Sequence, residues 1–164
     1  MRKELPQQLL RELLKNSKRS DRELAKILGV SQPTITRARR RLVNEGIIRT
    51  FTLTPDLAKM GYEIMAITVG KFKVPSTAEV IEKGIRWMQG FPNVIFASRC
   101  EGMGKNAVII SLHKNYSEYS RFIRTLRLHW RDRVEDHENL IISLQGLVVK
   151  PLSFEYLAEP EETS

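Results

Sequence analysis

Between residues 31 and 41 the chain concentrates Ser31, Gln32, Pro33, Thr34, Thr36, Arg37, Arg40 and Arg41 in one short segment. These side chains recognise other groups rather than break covalent bonds. A glutamine amide both donates and accepts, a guanidinium presents a rigid fork of N–H donors, and threonine offers a methyl beside a hydroxyl. Such groups pair with adenine, guanine and the thymine methyl at base-pair edges in the major groove, where a good bidentate pair discriminates by roughly 1–3 kcal/mol. Arg40 and Arg41, a turn beyond Arg37, are better placed for phosphate. Ser20, Arg22 and the N–H groups of the helix they open would meet the same backbone.

Other chemistry is weakly represented. His113, His129 and His137 lack the spacing of a zinc site, and Cys100 has no second cysteine. Gly102-Met103-Gly104-Lys105 is short of a phosphate loop and precedes a strand rather than a helix. No nucleophile-base pattern stands out. The expectation is a protein with no metal, no cofactor and no enzymatic activity.

The recognition segment needs elements to hold it. Pro6 suits a first helical position, and Leu9, Leu10, Leu13 and Leu14 supply an apolar stripe ending near Asn16. Ser20-Asp21-Arg22-Glu23 is a capping box, opening a short helix with Leu24, Ala25, Ile27 and Leu28 that Gly29 ends. Ser31 caps a third helix, with Pro33 in its first turn, and Gly46 closes it. Steps of about 100° per residue put Ser31, Ile35, Ala38 and Leu42 on an inner side. Pro33, Thr36, Arg37, Arg40 and Asn44 fall opposite, and Arg39 lies nearer the apolar side. Two helices joined around Gly29, apolar within and basic without, form a helix-turn-helix. The β-branched and aromatic run Ile47–Leu53 predicts a strand pair or wing. These elements define a DNA-binding domain over residues 1–53, followed by a linker over 54–61.

Residues 62–164 alternate strand and helix signals. Tyr62–Phe72 reads as a strand. Ser76-Thr77-Ala78-Glu79 is a second capping box, for a helix with Ile81, Ile85 and Met88 on one face. Val94–Cys100 and Ala107–His113 read as strands joined by a loop over residues 101–106. Asn115 with Glu118 caps a long helix bearing Tyr119, Phe122, Ile123, Leu126 and Trp130. A last strand covers Asn139–Gln145, with a tail through Pro151. The order β-α-β-β-α-β is the ferredoxin-like split unit, so the fold class is α+β. Alternation predicts that the helices cover Met65, Ile67, Val69, Val108, Ile110, Leu112, Leu140, Ile142 and Leu144. The opposite face, with Ile64, Ala66, Ile109 and Ile141 among Thr68, Ser111 and Ser143, would then pack against a second copy.

Charge agrees with this division. The 164 residues carry 27 Lys+Arg and 19 Asp+Glu. Residues 1–60 hold 14 of the basic and 6 of the acidic ones, so the whole surplus of eight lies there and the remainder is balanced. A basic module beside a neutral domain predicts a polyanionic target for the first alone. Hydrophobic residues make up 41% and charged ones 28%, which excludes a disordered chain. Apolar runs fall short of the roughly 18 residues a membrane span needs. The start Met1-Arg2-Lys3-Glu4 leads into no apolar core, which predicts no secretory signal, and one cysteine predicts a reducing, cytoplasmic setting.

Glu23-Leu24-Ala25-Lys26-Ile27-Leu28-Gly29-Val30-Ser31, with Thr34, Arg37, Leu42, Gly46 and Ile48, resembles the Lrp/AsnC family of bacterial and archaeal transcription regulators. The βαββαβ order is similar to that family's effector-sensing and dimerisation domain. The resemblance implies sequence-specific double-stranded DNA as partner and dimers formed through the sheets, with octamers as a further assembly. It also implies an amino acid or other small metabolite as effector. By family position the effector would meet Gly102, Met103, Gly104, Lys105 and Asn106. There the family's Thr-Gly pair and following Asp are replaced, and only Gly102 clearly matches. Two alternatives share the scaffold. Subunits of sirohaem decarboxylase also resemble Lrp/AsnC proteins, and His113 would be the residue to examine for such tetrapyrrole chemistry. A nucleoid-type protein would coat DNA with little sequence preference.

Overall fold

A computed structural model of the chain describes residues 4–73 and 77–158. They divide into two units, one comprising the chain up to Thr54 together with the segment from Lys150, the other running from Pro55 to Val149. None of the described helices is long and apolar enough to cross a membrane.

The first unit contains helices α1 (Glu4–Lys15), α2 (Asp21–Leu28) and α3 (Gln32–Asn44). Pro6 lies in the first turn of α1 rather than at its first position, at no cost, because the first four helical N–H groups have no intrahelical acceptor. The capping box forms: Glu23 N–H donates to Ser20 Oγ at 3.2 Å and Ser20 N–H to Glu23 Oε2 at 2.7 Å. Gly29 ends α2 with φ +65°, a conformation in which a side chain would be strained. Ser31 takes the N-cap position of α3, but its hydroxyl bonds Thr34 Oγ1 at 2.8 Å instead of a backbone N–H. Pro33 has no N–H to offer, and that of Thr34 goes to the Ser31 carbonyl. Leu9, Leu13, Leu24, Ala25, Ile35 and Leu42 form the core, while Ile27 stays half exposed.

The expected wing is absent. Residues 47–53 form no strand, since a ladder needs two runs and this unit supplies one. Ile48 packs on the core, and Phe51 lies beneath Arg39.

The second unit is a four-stranded antiparallel sheet of β1 (Ile64–Phe72), β2 (Val94–Gly102), β3 (Lys105–His113) and β4 (Val134–Ser143), in the order β2-β3-β1-β4. Helix α4 (Ala78–Gln89) joins β1 to β2, and α5 (Tyr116–Trp130) joins β3 to β4. This is the ferredoxin-like α+β arrangement. Thr77 caps α4, accepting from Val80 N–H at 3.4 Å; Ser76 lies outside the described residues. Asn115 caps α5, accepting from Glu118 N–H at 2.9 Å.

The two faces of the sheet are the reverse of the expectation. Tyr119, Phe122, Ile123, Leu126 and Trp130 of α5 pack on Ile64, Ala66 and Ile109, with Trp87 and Met88 of α4 beside them. Small side chains under the helix explain the choice. Ala66, Thr68 and Ser111 leave room for bulky aromatic rings, such as Trp130 edge-on to Phe72 at 5.2 Å. The buried hydroxyls are satisfied: Thr68 donates to Asn139 Oδ1 at 2.8 Å, and Ser111 Oγ lies 2.9 Å from His113 Nε2. Met65, Ile67, Val69, Val108 and Ile110 therefore lie on the face that no helix covers. Strand β4 begins at Val134, five residues before the expected start. Its polar first half is an edge strand compensated by ion pairs, including Lys71 to Glu135 at 2.7 Å.

The tail departs from the expectation that residues 62–164 form one domain. From Lys150 it joins the first unit, where a 3-10 helix (Glu155–Ala158) packs on α1 and Ala158 is 2% exposed. Ala158→Asp places a carboxylate in that contact, at a cost of about 1–3 kcal/mol. The expected result is faster hydrogen exchange of the α1 amides. The melting reported by Trp87 and Trp130, both in the second unit, should not change.

Candidate nucleic-acid interface

Helix α3 presents its outer side as a continuous exposed surface. Gln32, Pro33, Thr36 and Arg37 line one shallow, open concavity. Arg37 Nε donates to the Pro33 carbonyl at 3.3 Å, which steadies the stem and leaves the terminal nitrogens of the fork available. Arg37 and Arg40 are exposed and form no ion pair among the described residues. Arg22 and Ser20 are exposed at the start of α2, with the Ser20 hydroxyl already engaged by Glu23.

Other predicted contacts are less free. Arg41 Nε bonds Glu45 Oε1 at 2.6 Å, which offsets its charge for phosphate. The hydroxyls of Ser31 and Thr34 bond each other. The Thr36 hydroxyl donates to Asp21 Oδ2 at 2.6 Å, with the Gln32 carbonyl at 3.1 Å. Arg39, assigned from the sequence to the apolar side, is an internal strut. Its Nη2 lies 2.8 Å from Asp21 Oδ1 and 3.1 Å from the Arg19 carbonyl, and its guanidinium sits 5.7 Å from the Phe51 ring centre. Sequence reasoning missed Asp21, because a contact spanning 15 or 18 residues across a turn has no periodic signature.

The proposed effector residues form a tight turn rather than a loop. Gly102 pairs with Lys105 across Met103-Gly104, both with positive φ, as a two-residue hairpin connection demands. Met103 is 85% exposed. The Lys105 ammonium bonds Asp136 and lies 2.9 Å from Glu138 Oε1. Hydrogen bonding, first to Asp136 and then to Glu138, holds it above the usual lysine value. Asn106 is also occupied, accepting from Phe72 N–H at 2.8 Å and donating to the Phe72 carbonyl at 3.0 Å. A carboxylate ligand at this turn would meet a lysine already neutralised.

The histidines have structural partners. His113 is 2% exposed, against Tyr119 and Phe122, and burial pushes its ring below the ordinary histidine value. In this chain the His113 ring has no open face toward a ligand. His129 stacks on Trp87 with ring centres 3.8 Å apart, and His137 Nε2 accepts from Arg127 Nε at 3.0 Å. Among the described residues no three His, Cys, Asp or Glu side chains converge as a metal site.

Comparison with known proteins places this surface in context. A model for winged helix-turn-helix DNA-binding matches residues 2–49. The HTH-type transcriptional regulator PH0061 of Pyrococcus horikoshii is 37% identical over 105 residues, spanning 64% of this chain and 67% of that protein. The HTH-type transcriptional regulator LrpC of Bacillus subtilis is 32% identical over 94 residues, 57% of this chain and 62% of its own. The crystal structure of PH0061 aligns with a TM-score of 0.75 at 28% identity, covering 90% of this chain and 95% of that one. A transcriptional regulator from Neisseria meningitidis, NMB0573 in complex with L-Met, aligns with a TM-score of 0.74 at 15% identity. It covers 93% and 97% of the two chains and shares the fold.

With α3 as the reading helix, the two exposed arginines would differ in role. Arg37→Ala should cost about 1–3 kcal/mol at a preferred base pair and relax sequence preference there. Arg40→Ala should weaken binding to every sequence and flatten the dependence of log K on log salt by about 0.9 for each phosphate no longer neutralised. Titrations of matched duplexes at several salt concentrations separate the two effects.

Proposed function

Since the chain belongs to the Lrp/AsnC family of helix-turn-helix transcriptional regulators, we propose that it acts on operator DNA as a homodimer tuned by a small-molecule effector. Transcription regulation through DNA binding is the function of the family and of this chain. The finer reading assigns base contacts to Gln32, Pro33, Thr34 and Arg37, and phosphate contacts to Ser20, Arg22, Ser31, Arg40 and Arg41; Thr36, which the sequence placed among the base contacts, turns its hydroxyl inward to Asp21. Two such helices, about 34–36 Å apart, would enter successive major grooves on one side of a pseudo-palindromic site.

The observation that carries the dimer is the uncovered sheet face. Met65, Ile67, Val69, Val108 and Ile110 lie there on the two central strands, and on the outer strands Leu140 is 61% and Phe96 51% exposed. Leaving this surface in water forfeits about 25 cal/mol for each Å² that could be buried. A second copy offers the same flat, apolar surface, and a two-fold axis through it closes the assembly. The charge balance of residues 61–164 lets two such units approach without net repulsion.

The effector would be an amino acid or a similar metabolite, as the L-Met complex of the neisserial protein suggests. At the turn over residues 102–106, Met103 and the backbone of Gly102 and Gly104 are the exposed groups, while Lys105 and Asn106 hold the turn in shape.

Sedimentation tests the central step. The wild-type chain should be a dimer at micromolar concentration. Leu140→Asp should fold, because the site is exposed in one copy, yet dissociate into monomers, because an unpaired carboxylate in the contact costs several kcal/mol. Its operator affinity should fall by at least about a hundredfold as the two half-sites uncouple. A monomeric wild-type chain would refute the reading. L-amino acids added singly should raise the melting temperature of the dimer where they bind.

A further inference from the structure

Asp21 is an acid beside residues proposed to meet DNA, as are Glu23 and Glu45, but of the three it alone reaches from α2 to α3. It is the first residue of α2, where an acid is favoured by the helix dipole, but that placement does not explain its partners. Both carboxylate oxygens bond α3: Oδ2 accepts from Thr36 at 2.6 Å, and Oδ1 meets Arg39 Nη2 at 2.8 Å. Thr36 and Arg39 are three residues apart, so the carboxylate grips one turn of α3 at two points. Arg39 is fixed in turn by the Arg19 carbonyl and the Phe51 ring, and its Nε is buried with no hydrogen-bond partner among the described residues. Two anchors on one turn oppose both roll and slide of α3 against α2. Thr36 lines the concavity with Gln32, Pro33 and Arg37, so it shares the reading surface while its hydroxyl is committed inward.

We propose that Asp21 and the Thr36 hydroxyl set operator specificity as positioning groups, and that Asp21 also keeps the Arg39 cation from strengthening contact with DNA of any sequence. Bidentate pairing by Arg37 tolerates little misplacement, so a roll of α3 that moves its tip by about 1 Å loses discrimination. Asp21 offsets the Arg39 guanidinium 2.8 Å away, a cation that would otherwise strengthen contact with any duplex. Specificity is a difference of two affinities: the anchors raise the wanted one through geometry, while charge compensation of Arg39 lowers both. This inference rests on α3 being the reading helix.

The test uses the full-length protein and a duplex selected by the wild type from a random-sequence pool, against a scrambled duplex. The measured quantity is the ratio of the two affinities. Thr36→Val keeps the methyl groups and removes the hydroxyl, and should lower the ratio about tenfold. Thr36→Ser keeps the hydroxyl and should stay within about twofold of wild type. Asp21→Asn should bind the scrambled duplex about threefold or more tightly than wild type, with a lower ratio. The idea is overturned if Thr36→Ser loses the ratio while Thr36→Val keeps it, since the methyl would then be read directly. Loss by both Thr36 variants, or by neither, also overturns it, as does an Asp21→Asn protein that weakens on both duplexes in proportion. If Asp21→Asn does not fold, the two Thr36 variants decide alone. Arg37→Ala separates this from failure of the helix assignment: an unchanged ratio there removes α3 as the reader, whereas a lost ratio with Thr36→Val unchanged removes only the present inference.

Discussion

Helix α3 is anchored by two fully buried side chains, Ile35 and Leu42. That narrow contact is the constraint on which the DNA-binding unit depends. A recognition helix must leave most of its circumference to the partner, so it cannot be held by a broad apolar stripe as an ordinary core helix is. Its orientation must come from elsewhere. Gly29, with φ +65°, sets the entry from α2, and Gly46, with φ +71°, sets the exit, where Ile48 N–H closes on the Leu42 carbonyl at 3.0 Å. Between those ends the Asp21 carboxylate supplies polar anchors that an apolar contact of this size does not.

The α/β unit solves the opposite problem. Its long helix α5 is rich in aromatic rings, so the sheet beneath it must be made of small residues. The larger aliphatic side chains are thereby displaced to the other face, where no helix of the same unit covers them, although Leu112 at one end is buried. One steric requirement under α5 thus shapes both the interior and the apolar surface left for a second copy. Strand alternation revealed two apolar sets but not which set faced the helices, since period two is blind to side-chain volume. The relevant signal lay in Ala66, Thr68 and Ser111, small residues that are ordinary one by one.

The same boundary separates what was legible at the site. Gln32, Pro33, Thr36, Arg37 and Arg40 share a face through local helical geometry, and the nine residues from Gln32 to Arg40 display that period. Ser20 with Glu23, and Asn115 with Glu118, are likewise three-residue patterns, and both caps form. Non-local partners were not legible. Lys105 looked like a free cation in a loop because Asp136 and Glu138 are more than 30 residues away, on a strand whose charged first half gives no apolar alternation. The wing failed for a related reason: Ile47–Leu53 has the composition of a strand, but composition does not provide a neighbour to pair with.

The tail adds a final link between the two units. The chain leaves the DNA-binding unit at Thr54 and re-enters it at Lys150, so two covalent segments, not one, connect it to the α/β unit. The second follows directly from β4, the strand that carries Leu140 and Ile142 on the uncovered face. A short 3-10 helix with a single fully buried residue is a weak anchor, and local units of this kind open at a fraction of the global unfolding free energy. The contact that completes α1 is therefore among the least costly to release, and it begins 12 residues beyond the strand at which copies would meet.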